Sequence, residues 1–243
     1  MSHVQQIKYM FQLQFSRMKG IVVVMAILQI IIALGIAIGY TYLFSDPGGK
    51  TTLFLATGAP TIVLIMTGLV ILPMQNATAK IEGYNDFIRT LPINRFAVIA
   101  ADTIMWFTIT LPGFIIATTC THFMFKPGYA ISWSIVPVYL LAALTCIGVG
   151  YGYSFVMDAE LAMALSQVIA FGALMFSPIN FPLERLPRWL QVLHKILPID
   201  SMAQIMRTSM ASTTFATNSG EYIKLIIWCL AGYGSAIYVL NKK

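Results

Sequence analysis

Six stretches of this chain run without a single Asp, Glu, Lys or Arg: residues 20–45, 51–79, 103–125, 127–157, 161–183 and 225–241. Their lengths are 26, 29, 23, 31, 23 and 17 residues. A helix crosses the ~30 Å hydrocarbon core of a bilayer with about 20 apolar residues, so each stretch holds one crossing and none comfortably holds two. Only 10% of the 243 residues are charged and 58% are hydrophobic, a balance that excludes both a water-soluble globule and a disordered chain. The expected fold is therefore an all-α polytopic membrane protein, a single transmembrane domain over 1–243 with six transmembrane helices. The spans fall at about 21–44, 53–74, 96–119, 130–153, 161–181 and 222–240, the third starting near Phe96 and so including Asp102.

The first apolar stretch is too long for the core of a removable leader and is expected to stay as a span. Cys120, Cys146 and Cys229 are odd in number, far apart and within or beside spans, which indicates small core residues rather than a disulfide framework or a metal site. The net charge of +6 belongs to no soluble basic module, so it reads as membrane topology and not as nucleic-acid binding.

Six spans put both termini on one side. If that side is cytoplasmic it carries eight basic residues against seven on the other, but five of those seven lie in 182–224. Setting that segment aside leaves eight against two, which predicts cytoplasmic termini in a cell membrane. The segment has its own explanation. From Pro187 the pattern places Trp189 or Leu190, Leu193 and Leu197 on one helical face, with Arg188, Gln191 and Lys195 opposite. Pro198 opens a second helix, with Asp200 or Ser201 as its expected cap and Met202, Ile205, Met206 and Met210 as its apolar stripe. The expectation for 186–210 is a re-entrant amphipathic helix pair in the outer leaflet, Arg188, Lys195 and Arg207 reaching for lipid head groups. Residues 1–19 form another amphipathic pattern (Val4, Ile7, Phe11, Phe15, Met18), expected as an N-terminal interfacial helix lying flat on the cytoplasmic face.

Gly49-Lys50-Thr51 ends like a phosphate-binding loop, but the loop's first glycine would fall on Phe44 and no strand precedes it. The chain is expected to carry no ATPase of its own and no catalytic or metal site. His3, His122 and His194 are isolated on separate segments, which disfavours an intramembrane enzyme. Asp102 is the one acid inside a predicted span; seven residues from Arg95, it reads as paired with Arg95, Arg89 or a span-end amide, with a proton relay as the alternative. Residues 75–95 are too long for a tight turn and set Lys80, Glu82, Asp86, Arg89 and Arg95 among Ile81, Tyr84, Phe87, Ile88 and Leu91. A short amphipathic helix over 80–92, ended by Pro92, fits this pattern, either as a solvated loop element or as a docking knob.

Two segments together resemble the type-2 permease family of ATP-binding cassette (ABC) exporters. In the first, Gly83, Asp86, Phe87, Ile88, Pro92 and Arg95 meet the family's pattern of a glycine, an acid three residues on, an apolar pair and Pro-x-x-Arg leading into the third span. Tyr84-Asn85 and Arg89 depart from it. In the second, FSPINFPLERLPRWLQVLHKILPIDSMAQIMR at 176–207, Pro182, Leu183, Glu184, Leu186, Pro187, Trp189, Leu190, Pro198 and Arg207 match the family's fifth-span exit, with Ser201-Met202 where an aromatic is usual.

The resemblance implies a permease that pairs with a second permease chain, identical or sibling, and docks two copies of a cytoplasmic ATP-binding subunit that binds ATP and Mg. It makes 80–92 a coupling helix, with Glu82, Gly83, Asp86, Phe87, Ile88, Arg89, Pro92 and Arg95 as its site, and makes Phe11, Phe15 and Arg17 an N-terminal contact surface. The acidic turn at Asp158 and Glu160 is a second contact, or simply a solvated loop. In such dimers the second and fifth spans line the cargo route, which names Thr61, Met66, Thr67, Ser166, Gln167, Phe171, Phe176 and Asn180. Without a ring of charges, these side chains suit an amphiphilic or hydrophobic cargo, such as a drug, an antimicrobial peptide or a lipid-linked molecule. A non-transporting sensor or immunity module and a secondary transporter working through Asp102 remain the alternatives.

Overall fold

The protein is described by a computed structural model over residues 3–43 and 49–242, and the described residues are helical apart from short turns. The helices are α1 (His3–Leu43), α2 (Gly49–Met66), α3 (Leu72–Ile81), α4 (Tyr84–Thr90), α5 (Arg95–Phe125), α6 (Ile135–Val156), α7 (Ala159–Phe176), α8 (Arg188–Ile196), α9 (Pro198–Met210) and α10 (Ser219–Asn241). Five are long and apolar enough to cross a membrane: Gly49–Ile81 as one unit, Arg95–Phe125, Ile135–Val156, Ala159–Phe176 and Ser219–Asn241. A further apolar stretch, Val23–Ile36, lies within α1.

α1 differs from the sequence expectation. A flat helix over 1–19 followed by a separate span implies a break near Gly20, whereas the helix is continuous for 41 residues, about 60 Å at 1.5 Å per residue. Gly20 alone weakens a helix by only about 1 kcal/mol, and neither a proline nor a cap interrupts the ladder. Long packing against α5 then holds the helix along its length. The end of the expected span, Phe44, lies outside the described residues.

The helical unit Gly49–Ile81, the second span of the sequence expectation, is the hub, buried nearly throughout among α1, α5, α6 and α9. It contains two prolines, and each removes a hydrogen bond and pushes away the carbonyl four residues earlier. Pro60 frees the Ala56 carbonyl, which accepts from the Tyr129 hydroxyl at 3.0 Å. Pro73 frees the Leu69 carbonyl within a π-helical turn, Thr67–Ile71, and this oxygen accepts from the Tyr153 hydroxyl at 2.6 Å. In hydrocarbon an orphaned carbonyl has no water to turn to, so tyrosines on neighbouring segments supply the missing donors. Tyr153→Phe is therefore expected to lower stability by about 1 kcal/mol, read as an earlier unfolding midpoint in mixed micelles.

α6 is the most glycine-dependent helix. Gly148 and Gly152, four residues apart and so on one face, meet α10 at Gly232, while Gly150 faces the opposite way onto Gly68 of the π turn. α6 thereby touches two neighbours backbone to backbone.

Other boundaries follow from local chemistry. α7 ends at Phe176, short of the expected 181, because Pro178 drives Ser177 to extended φ/ψ (−90°, 142°). α6 starts at Ile135, not 130, because the preceding strip is bonded elsewhere: the Ser132 amide donates to the Ser209 carbonyl and the Ser212 amide to the Ala130 carbonyl. α9 begins with Pro198 at its first turn, and neither Asp200 nor Ser201 caps it. Asp200 instead accepts from the Gln204 amide at 2.8 Å, and Ser201 donates to Glu221 of α10 at 2.6 Å. The stripe Met202, Ile205, Met206 and Met210 is buried against α2, α6 and α10, so α9 is packed into the core of the bundle. α8 buries Leu190 and His194 and leaves Trp189, Val192, Leu193 and Ile196 exposed.

Candidate coupling site

At one end of the bundle the chain turns sharply out of α3. Gly83 sits in the left-handed region (φ 74°), where a side chain would be strained, and α4 starts on the next residue. Lys80 and Ile81 therefore close α3, while Glu82 and Gly83 form the turn. The helix expected over 80–92 is in fact the seven residues Tyr84–Thr90. It stops because Pro92 forces Leu91 into an extended conformation (φ −80°, ψ 135°). Arg95 reaches back to donate from Nη1 to the Ile88 carbonyl at 2.8 Å, covering an open helix end. Asn94 caps α5 by accepting from the Phe96 amide at 2.9 Å, and its own amide donates to Gln6 of α1 at 3.3 Å.

A seven-residue helix is not stable alone, so packing must hold α4 in place. Ile88 does so: only 3% exposed, it enters a cluster with Met10 of α1 and Val98 and Ala101 of α5, edged by Ile7, Phe11, Tyr84, Leu91 and Ile93. Phe87, next in the chain, is 49% exposed and faces away, with Ile81 also exposed beside the turn. Glu82, Asp86 and Pro92 are exposed, and Arg95 is half-buried. Phe11 stacks on Phe15, ring centroids 6.1 Å apart, with Phe15 the more exposed. The side chains of Arg17 and Arg89 lie outside the described residues.

Two further features lie beside α4. Lys80 donates to the Phe155 and Met157 carbonyls at 2.9 and 2.7 Å, which fastens the end of α3 to the turn carrying Asp158 and Glu160. A cavity of about 160 Å³ separates α4 from the spans, with Gln14, Asn76, Asn85 and Asp102 on its wall. Asp102 accepts a hydrogen bond from the Tyr151 hydroxyl of α6, a partner the sequence reading did not name.

Residues 5–211 match the family model for the ABC-2 type transporter. The chain belongs to that family. No curated protein sequence matches it closely enough to count as a relative. As an ABC-2 type transporter, the chain is a membrane permease component of an ABC transporter, and its family implies partnership with an ATP-binding subunit. The matched region takes in all of α4, nearly all of α1 and the whole α8–α9 hairpin, while α10 lies beyond it.

Within this ABC-2 permease the eight residues expected along the cargo route do not share one surface. Thr61, Met66 and Thr67 are buried inside the chain's own core, Thr61 donating to the Thr57 carbonyl and Thr67 accepting from the Gln29 amide. Ser166 is buried beside Tyr153 at 2.9 Å, and Asn180 is buried in the loop after α7. Gln167, Phe171 and Phe176 are exposed on α7. The cause is the composition of α2: Ala56, Thr57, Gly58 and Ala59 let four helices close around it.

At the opposite end, Pro182 is half-buried, Glu184, Pro187 and Trp189 are exposed, and Pro198 is buried. Arg207 corrects the sequence reading. Its side chain does not extend along the outer surface; it is 6% exposed, donates from Nη2 to the Ile179 carbonyl at 2.8 Å, and lies 3.9 Å over the Phe54 ring. The residue type at a helix end looked like a lipid anchor, and only tertiary packing shows the side chain turned inward.

Proposed function

We propose that this permease is the six-span half of an ABC exporter, with α1 supplying the first crossing through 23–36 and both termini in the cytoplasm of a cell bearing it in the plasma membrane. It pairs with a second permease chain, identical or sibling, and each half docks one ATP-binding subunit that carries the ATP and Mg. The cargo is amphiphilic or hydrophobic: a drug, an antimicrobial peptide or a lipid-linked molecule. α4 is the coupling helix. The observation that carries the reading is the division of labour within it, Ile88 wedged between α1 and α5 while Phe87 is left facing outward. A partner gripping Phe87, Ile81 and Asp86 pushes on a lever whose inner end bears on two spans. Phe11 and Phe15 extend the same docking face along α1, and α7, with Gln167, Phe171 and Phe176 exposed, is the part of the proposed route open to a partner span or cargo.

The test uses the chain and its ATP-binding partner in inside-out vesicles. ATP-dependent uptake of a fluorescent amphiphile is expected, and it is lost when the partner's hydrolytic glutamate is replaced. Uptake that persists in the hydrolysis-dead complex counts against an ABC exporter.

A further inference from the structure

The hairpin end of the bundle holds a second cavity, about 210 Å³, that the transport reading does not use. Its walls come from the start of α2 (Phe54), the loop after α7 (Pro178, Pro182, Glu184), one face of α9 and residues 215–217. Asp200, Gln204 and Arg207 line it from α9. At spacings of four and seven they share a face, with about 10 Å of helix rise between the acid and the base. Both charged residues are more than nine-tenths buried.

Neither charge makes a direct ion pair among the described residues, although each feels the other's field. Arg207 Nη2 has the Ile179 carbonyl and, at 3.4 Å, that of Pro178; the flat guanidinium lies between Phe54 and Phe215, 3.9 and 5.6 Å from the ring centroids. Its Nε has no partner, and no carboxylate lies within ion-pair distance of it among the described residues. Asp200 accepts from the neutral Gln204 amide at 2.8 Å. Stapling the 178–179 carbonyls accounts for one nitrogen of Arg207. It leaves Nε, and the facing acid, without a structural purpose.

We propose that this cavity is a binding site for a zwitterionic head group, one that joins a primary ammonium to a phosphate or carboxylate. The anion sits against the guanidinium of Arg207 and the ammonium against Asp200, with Glu184 at the rim. Charge-assisted hydrogen bonds then add to the neutral partners that each group already has, with an ion of opposite sign at each end. Burial moves both groups towards their neutral forms, Arg207 pushed down to about 10 and Asp200 raised, and their attraction for each other offsets only part of this. The cavity holds a head group but no acyl chain, so the same chemistry arrives either on a lipid or as a free zwitterion.

The experiment is native mass spectrometry of the full-length chain released from nanodiscs of mixed phosphatidylethanolamine and phosphatidylglycerol, with calorimetric titration of O-phosphoethanolamine beside it. Phosphatidylethanolamine is expected to be retained about tenfold over phosphatidylglycerol, and Asp200→Asn, of nearly the same shape, is expected to erase that preference. Binding of O-phosphoethanolamine to the chain in pure phosphatidylglycerol would identify a free zwitterion as sufficient; its absence, with the lipid preference intact, would identify the lipid. Equal retention of the two lipids by the unaltered chain without O-phosphoethanolamine binding, or a preference that survives Asp200→Asn, overturns the proposal. The wild-type comparison decides even if the variant does not fold.

Discussion

Ile88→Asp is expected to abolish stimulated ATP hydrolysis while leaving the span bundle folded. Ile88 is the one fully buried side chain of α4 among those described, seated on Met10, Val98 and Ala101, while Arg95, the nearby cation, is already engaged by the Ile88 carbonyl. A carboxylate there gives up these apolar contacts and is desolvated, at a cost of roughly 2–4 kcal/mol, more than a helix of two turns gains from its other contacts. α4 leaves its seat, and a push on Phe87 no longer reaches α1 and α5. The large core clusters of α2, α6, α9 and α10 share no buried residue with this one, only the half-buried Phe11 at its edge, so the melting temperature of the bundle changes little. Stimulated hydrolysis, measured with the ATP-binding subunit in lipid, falls at least tenfold. Ile88→Leu, which conserves volume, keeps it within about twofold. If the aspartate variant couples normally, α4 is not the transmission element, whatever its surface does in docking.

Phe87 and Ile88 also show how far the sequence could be read. Pattern alone placed Ile81, Tyr84, Phe87, Ile88 and Leu91 on one short amphipathic segment between two spans. Which of them turns inward depends on where the helix begins, and that is set by the left-handed φ of Gly83, a backbone property no periodicity encodes. The charge-free intervals located the long helices for a comparable reason: the need to keep charge out of hydrocarbon acts residue by residue. α1 escaped this logic because a change of environment at Lys19 is not a change of conformation. The ladder runs through Gly20, and only the side chains pass from an amphipathic to an apolar pattern.

The burial of Arg207, Thr61, Met66 and Thr67 was not legible in the sequence for a different reason. The solvent of a side chain in a bundle is chosen by its neighbours, and small residues on α2 allow more neighbours than hydropathy can report. A signal did exist for the tyrosines. Every proline inside a span leaves a carbonyl needing a donor, so Pro60 and Pro73 called for two hydroxyls, which Tyr129 and Tyr153 provide.

The run Gly148-Val149-Gly150-Tyr151-Gly152 is the most exacting of these signals, and its expected effect is large. A methyl added at Gly150 lands on the Gly68 carbonyl oxygen, far inside contact distance, and also crowds the Pro73 ring. Neither neighbour can give way, since Gly68 lies in the π turn and a Cβ of its own would strike Cys146. Gly150→Ala must therefore separate α6 from the second span, straining the bond from Tyr153 to the Leu69 carbonyl. Overpacking of this kind costs about 3 kcal/mol. Gly172→Ala on α7 is the matched control, because nothing lies within 4 Å of its added methyl. There the gain in helix propensity stabilises by about 0.5–1 kcal/mol. The same chemical change should thus shift the mixed-micelle unfolding midpoint in opposite directions at two positions. Equal shifts would mean that the α6–α2 contact is not the close approach on which the tilt of the second span, and the seat of α3 and α4 below it, depend.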